Sequence, residues 1–169
     1  MQDKKILLQI LAFTLTLIFS FTSPVYAGEV YTASTTGYYS HPVTGEIEDA
    51  GNNPGIGQGM VDNVVNGFSL IEKDDDGRLY ATVRYSLRDN IENVRVWVQN
   101  RGDASFTQVQ VEETKHEGGK GDFRFEIPST DCVIKSSFFV GPMGRDVIFF
   151  MDFASLEEGN TEKKVRVFE

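Results

Sequence analysis

The sequence predicts an all-β domain: an immunoglobulin-like antiparallel β-sandwich with a short helical lip before its second main strand. Apolar residues recur with period two through most of the chain, the pattern of strands that bury one face. Turn signals break this pattern every ten residues or so, as short antiparallel strands require. The length, 169 residues and about 140 once a leader is removed, suits one domain with one core.

The elements follow in chain order. Lys4 and Lys5 form a positive leading region, Ile6 to Phe21 an apolar stretch, and Val25-Tyr26-Ala27 a cleavage site before Gly28. Residues 1–27 therefore read as a secretory signal peptide and 28–169 as the mature domain. A retained membrane helix is the competing reading. It is disfavoured because the apolar run is short for a bilayer and Ser23-Pro24 breaks it.

Residues 28–36 read as a strand or loose lead-in. Between Pro54 and Asn66, Ile56, Met60 and Val64 share one face at helical spacing, which predicts a short helix or 3₁₀ segment weakened by three glycines. After an Asp74-Asp75-Asp76-Gly77 turn, Leu79, Ala81, Val83, Tyr85 and Leu87 alternate with more polar neighbours. Val94, Val96 and Val98 repeat the alternation, followed by Thr107 to Val111. His116 to Gly121 is expected to be a mobile loop, leading to a strand with Phe123, Phe125 and Ile127 on one face. Two more strands span Val133 to Val140 and Asp146 to Phe153, and Lys163 to Glu169 reads as a last strand.

Composition narrows the function. Without Asp3, Lys4 and Lys5 the mature chain carries 14 basic against 24 acidic side chains, a formal charge of −10. No basic stripe exists to neutralise phosphates, so nucleic acid is not expected as a partner. Cys132 is the only cysteine, which leaves no intramolecular disulfide and puts the stability of an exported domain on packing. No Ser/His/Asp, Cys/His or clustered His/carboxylate set converges, so no enzyme is expected.

Two methionines stand apart. Met60 ends Gly55-Ile56-Gly57-Gln58-Gly59-Met60, and Met143 lies in Gly141-Pro142-Met143-Gly144-Arg145. A soft thioether on glycine-rich backbone suits close approach to a flat, apolar, iron-bearing ligand, and the pair reads as axial ligands to heme. The plain alternative is that both fill irregular core, as most methionines do. Met151, in mid-strand, reads as core. Phe138 and Phe139 precede the Met143 turn, and Phe149 and Phe150 follow it. Adjacent strand residues face opposite ways, so one ring of each pair leaves the inter-sheet core and becomes either exposed surface or the wall of an apolar slot.

Three segments carry a resemblance. Tyr39-Ser40-His41-Pro42 with Thr44-Gly45-Glu46-Ile47-Glu48-Asp49, then Ile56-Gly57-Gln58-Gly59-Met60-Val61, then Phe139-Val140-Gly141-Pro142-Met143-Gly144-Arg145-Asp146-Val147 strongly resemble the streptococcal cell-surface heme-binding protein Shp family, a relative of the NEAT domains. The likeness covers nearly all of residues 30 to 155. It implies an immunoglobulin-like sandwich with heme in a cleft between a helical lip and a late hairpin, ligated by the methionines at positions 60 and 143. It also implies a secreted or cell-surface protein of Gram-positive type that takes heme from a surface donor and hands it to an importer lipoprotein. The stalk and membrane segment of that family have no counterpart here, so no transmembrane segment is expected in the mature chain.

Candidate cofactor contacts are therefore Met60, Met143, Phe138, Phe139, Phe149 and Phe150, with Arg145 as the nearest cation for a heme propionate and Lys73 a weaker one. Surface salt bridging accounts equally well for both cations. With roughly 2.3 Å per metal–sulfur bond, the two sulfurs should lie within about 5 Å of one another when iron is bound. His41 competes as a ligand, but His-Pro-Val-Thr-Gly reads as a turn in which the ring bonds its own backbone. His116, in the polar loop, has less claim, and Tyr38 and Tyr39 line the pocket or pack in strands. Two further readings stand beside heme transport: an adhesion or carbohydrate-binding sandwich without heme, and a copper(I) site of two thioethers, few ligands for tight binding.

Overall fold

The computed structural model describes residues 28–161, so the expected signal peptide and last strand lie outside the described residues. Among the described residues nine strands run antiparallel in one continuous sheet: β1 (Glu29–Tyr38), β2 (Phe68–Lys73), β3 (Leu79–Tyr85), β4 (Ile91–Asn100), β5 (Thr107–Val109), β6 (Glu112–His116), β7 (Lys120–Ile127), β8 (Cys132–Val140) and β9 (Arg145–Glu158). Their order is β5-β4-β8-β9-β1-β2-β3-β7-β6. The sheet curls over so that β3 and β7 face β8 and β9, and this makes the sandwich. Tyr85 on β3 shows the closure: its ring lies 5.8 Å from Phe138 on β8 and 5.7 Å from Phe149 on β9, and 5.0 Å from its neighbour Phe123 on β7.

The inward rows are those of the period-two pattern. Ala81, Val83 and Tyr85 meet Phe123 and Phe125, while Ile134 and Phe138 meet Val147, Phe149 and Met151, all buried. Met151 is fully buried under the Tyr85 hydroxyl, whose oxygen lies 3.8 Å from its sulfur, in keeping with a core role. Cys132 is buried and free, and burial pushes its thiol up to about 12, far from the reactive thiolate.

Of the two readings of residues 28–36 the strand holds, since residues 29–38 pair with both β2 and β9, while other expectations are corrected. Phe68–Lys73 is a strand without alternation in its burial, since Ser69, Leu70, Ile71 and Glu72 are all covered. Glu112–His116 is a strand, and the expected mobile loop shrinks to a tight hairpin turn in which His116 pairs with Lys120 and Gly118 and Gly119 take positive φ. Leu87 does not continue β3: it sits beyond the strand end with φ 62°, ψ 26° and half its surface exposed.

The one α-helix among the described residues, α1 (Pro54–Val64), crosses from β1 to β2. Asn53 caps it by accepting from the Ile56 amide, and Pro54 starts it where no amide donor is needed. Its buried row is Gly57, Val61 and Val64, one position round from the predicted Ile56–Met60–Val64 stripe. Gly57 explains the rotation, because a Cβ there would stand 2.4 Å from the Tyr39 ring. Ile56 is left 65% exposed, and Met60 falls at the margin between core and solvent.

Candidate heme-binding cleft

A cavity of about 360 Å³, a size typical of small-molecule sites, opens between α1 and the β8–β9 hairpin. Met60, Val61 and Val64 form the helix wall. Val140 and Phe138 on β8, with Val147 and Phe149 on β9, form the hairpin wall, and Leu87 and Ile91 from the β3–β4 connection close one end. Its polar lining is limited to Asn63 and Asn90; no charged side chain lines it among the described residues. Such a slot favours a flat apolar ligand over a polar one.

The hairpin wall follows from alternation. Phe138 pairs with Val147 across β8 and β9, and Phe149 with Ser136, so the four side chains share the inner face. Phe139 and Phe150, expected at the site, point to the opposite face and do not line the cavity. Phe150 is fully buried there beneath the segment joining β1 to α1, 5.1 Å from the His41 ring and 6.1 Å from Phe106. A second, smaller apolar layer thus backs the cleft from behind.

The methionines are placed differently. Met60 lines the cavity. Met143 lies on the 3₁₀ turn Gly141–Met143 that joins β8 to β9, beyond the two wall residues Val140 and Val147, with 39% of its surface exposed. Gly144 takes φ 64° and its amide bonds back to Val140 and Gly141, which fixes the shape of this turn; Met143 itself does not line the cavity. Leu87, in the left-handed region that costs a non-glycine residue about 1–2 kcal/mol, does line it with half its surface exposed.

Arg145, considered for a propionate, is committed elsewhere: its guanidinium donates to Asp49 at 2.8 Å and to the Asp146 carbonyl at 2.9 Å. Lys73 pairs with Glu29 and does not line the cavity. His41 behaves as its turn chemistry predicts. Its Nδ1 accepts from the Val43 and Thr44 amides at 3.2 Å each, and Nε2 faces Gln99. His116 bonds Asp122 at 2.6 Å, away from the cleft. Among the described residues no group of three or more His, Cys, Asp and Glu is arranged to hold a metal ion.

A larger crevice of about 500 Å³ opens between the ends of β4 and β7. It contains neither methionine and is ringed by Gln99, Asn100, Asp103 and Arg124, the last bonded to Glu72 at 3.1 Å. Tyr80, Val98, Phe125 and Ile127 also line it, so its lining is mixed where that of the cleft is almost wholly apolar.

Sequence reasoning did not find Leu87, Ile91, Val147 or Asp49. Val147 and Ile91 look like any strand residues. Asp49 follows the exposed acids Glu46 and Glu48 in an irregular segment, and nothing in the sequence marks it as the buried one.

No curated protein matches the chain. Solved structures that are similar include the NEAT5 domain of IsdX2, a B. anthracis hemophore, in complex with heme, and a mutant of the IsdX2 NEAT5 domain, also with heme. Each is 13% identical with a TM-score of 0.48, covering 74% of this chain and 94% or 93% of the other. The family model described as "Cell surface heme-binding protein Shp" matches residues 27–167. That match spans every described element from β1 to β9, and the chain therefore belongs to the Shp family of cell-surface heme-binding proteins.

Proposed function

We propose that the protein is an extracellular heme carrier that takes heme into the cleft between α1 and the β8–β9 hairpin, holds its iron between Met60 and Met143, and passes it to the lipoprotein of a heme importer. The observation that carries this reading is the apolar cleft itself, with Met60 on one wall and Met143 on the turn that joins the strands of the other. Phe138, Phe149, Val140 and Val147 offer a flat apolar wall to a macrocycle. With no cation in the lining, the anionic edge of the ligand is left to solvent and the two asparagines.

The ligand pair fits transport. Heme, when bound, supplies an iron with two axial positions. Two thioethers fill both, which leaves no position for oxygen or peroxide, and they favour the ferrous state. Thioethers carry no titrating proton, so release is not tied to pH as it is with a histidine or tyrosinate ligand. The signal peptide, the surface location, and the donor and acceptor proteins belong to this proposal.

Absorption spectroscopy tests it. Purified protein with hemin is expected to give a low-spin Soret band, and Met60→Ala and Met143→Ala each to alter it. Protein that stays colourless in hemin, or spectra indifferent to both substitutions, overturns the reading. Elemental analysis showing copper and no iron would support the thioether–copper alternative instead.

A further inference from the structure

Asp49 has almost no exposed surface. Its two carboxylate oxygens divide their work. Oδ2 accepts from the Tyr39 hydroxyl at 2.6 Å and from the Gly51 amide at 2.9 Å. Oδ1 accepts from the Arg145 guanidinium at 2.8 Å and from the Ile148 amide at 3.1 Å. The first pair of donors leads to the helix and the second to the hairpin.

On the helix side, the Tyr39 ring lies directly under Gly57, its backbone amide donates to Gln58 at 2.9 Å, and its hydroxyl accepts from the amide of the helix cap Asn53 at 3.4 Å. Met60 stands one turn further along the same helix. On the hairpin side, Arg145 opens β9 two residues after Met143, and Ile148 flanks the wall residues Val147 and Phe149. Gly51 makes room for the link, since a Cβ there would sit 2.4 Å from Arg145 Nη2.

We infer that Asp49 is a positioning residue that sets the separation between the Met60 helix and the Met143 hairpin. The inference rests on the heme-carrier reading above. Only a carboxylate meets the requirement. In an asparagine one of the two oxygens becomes an NH₂ group, which cannot accept, so one side of the link must lose both of its bonds. A cleft whose walls drift apart still offers apolar surface to a porphyrin, but it no longer presents two sulfurs to one iron.

The test compares the full mature chain with Asp49→Asn, Arg145→Gln and the double variant, each first checked for folding by circular dichroism. Expected with hemin are a shift from a low-spin to a mixed or high-spin spectrum, and heme loss to apomyoglobin about 10-fold faster or more in each single variant. The double variant should be no worse than the poorer single one, because both break the same link. Low-spin spectra and heme loss like the parent in Asp49→Asn overturn the inference, as do additive effects in the double variant. Should Asp49→Asn fail to fold, Gly51→Ala displaces Arg145 more gently; the same spectral shift supports the inference and an unchanged spectrum overturns it. Failure of the carrier reading is visible separately, as a parent protein that takes up no hemin or whose spectrum ignores loss of Met60.

Discussion

Asp49 also contributes to the acid sensitivity of the fold. Burial alone would raise its pKa, but the donated bonds from Arg145, Tyr39 and the Ile148 and Gly51 amides outweigh it and hold the carboxyl below its ordinary value of 3.8. A group lowered in the folded state contributes stability that is complete above its unfolded pKa and is lost as pH falls through its folded one. The thermal midpoint of the apoprotein should therefore fall as pH drops below 3.8. Asp49→Asn should start lower and lose less over the same interval, and equal slopes for the two proteins would refute this. Residues of this kind were the least legible in the sequence. Gly57 carries no hydrophobic signal, so periodicity alone selects the Ile56 stripe and misses the row on which α1 actually rests. Likewise, alternation requires one ring of Phe138–Phe139 and one of Phe149–Phe150 to leave the inner face, yet nothing local says which.

Strands with one face in the core and one in water were readable, because solvent imposes the alternation that the eye detects. β4 is of this type, while β3 and β7 keep the alternation in polarity although Thr82, Asp122 and Arg124 on their outer face are buried. β2 was not readable, since its outer face is covered too: Glu72 there is buried against Arg124. The β3–β4 connection was misread for another reason. Leu87 keeps the period of β3, but the strand ends at Tyr85, and a leucine with positive φ and a half-exposed side chain gains little from burial. Its place in the cleft lining gives it a use. Asparagine tolerates this backbone better, so Leu87→Asn should leave the apoprotein's thermal midpoint unchanged or raise its stability by up to about 1 kcal/mol, while heme loss becomes faster. A lower midpoint, or unaltered heme loss, would show that Leu87 serves the fold instead.

For the whole molecule, the acidic chain with its single cysteine was legible as a β-sandwich from its period-two pattern, and of the two glycine-flanked methionines one, Met60, lines the cleft. What sequence did not reveal is how the parts of the sandwich are joined. β8, β9, β1, β2 and β3 form an unbroken run of hydrogen-bonded neighbours from one side of the cleft to the other. The walls of the sandwich therefore have no unpaired seam along that path, and parting them would sacrifice whole ladders of backbone bonds. The helix is held more lightly, by Tyr39, Gln58 and the links from its end to β3. On the heme-carrier reading, α1 is therefore the wall expected to yield when heme enters or leaves, while the strand ladders behind it stay paired. Amide exchange should report this as faster opening of residues 57–64 than of β8 and β9, slowed selectively when hemin is present.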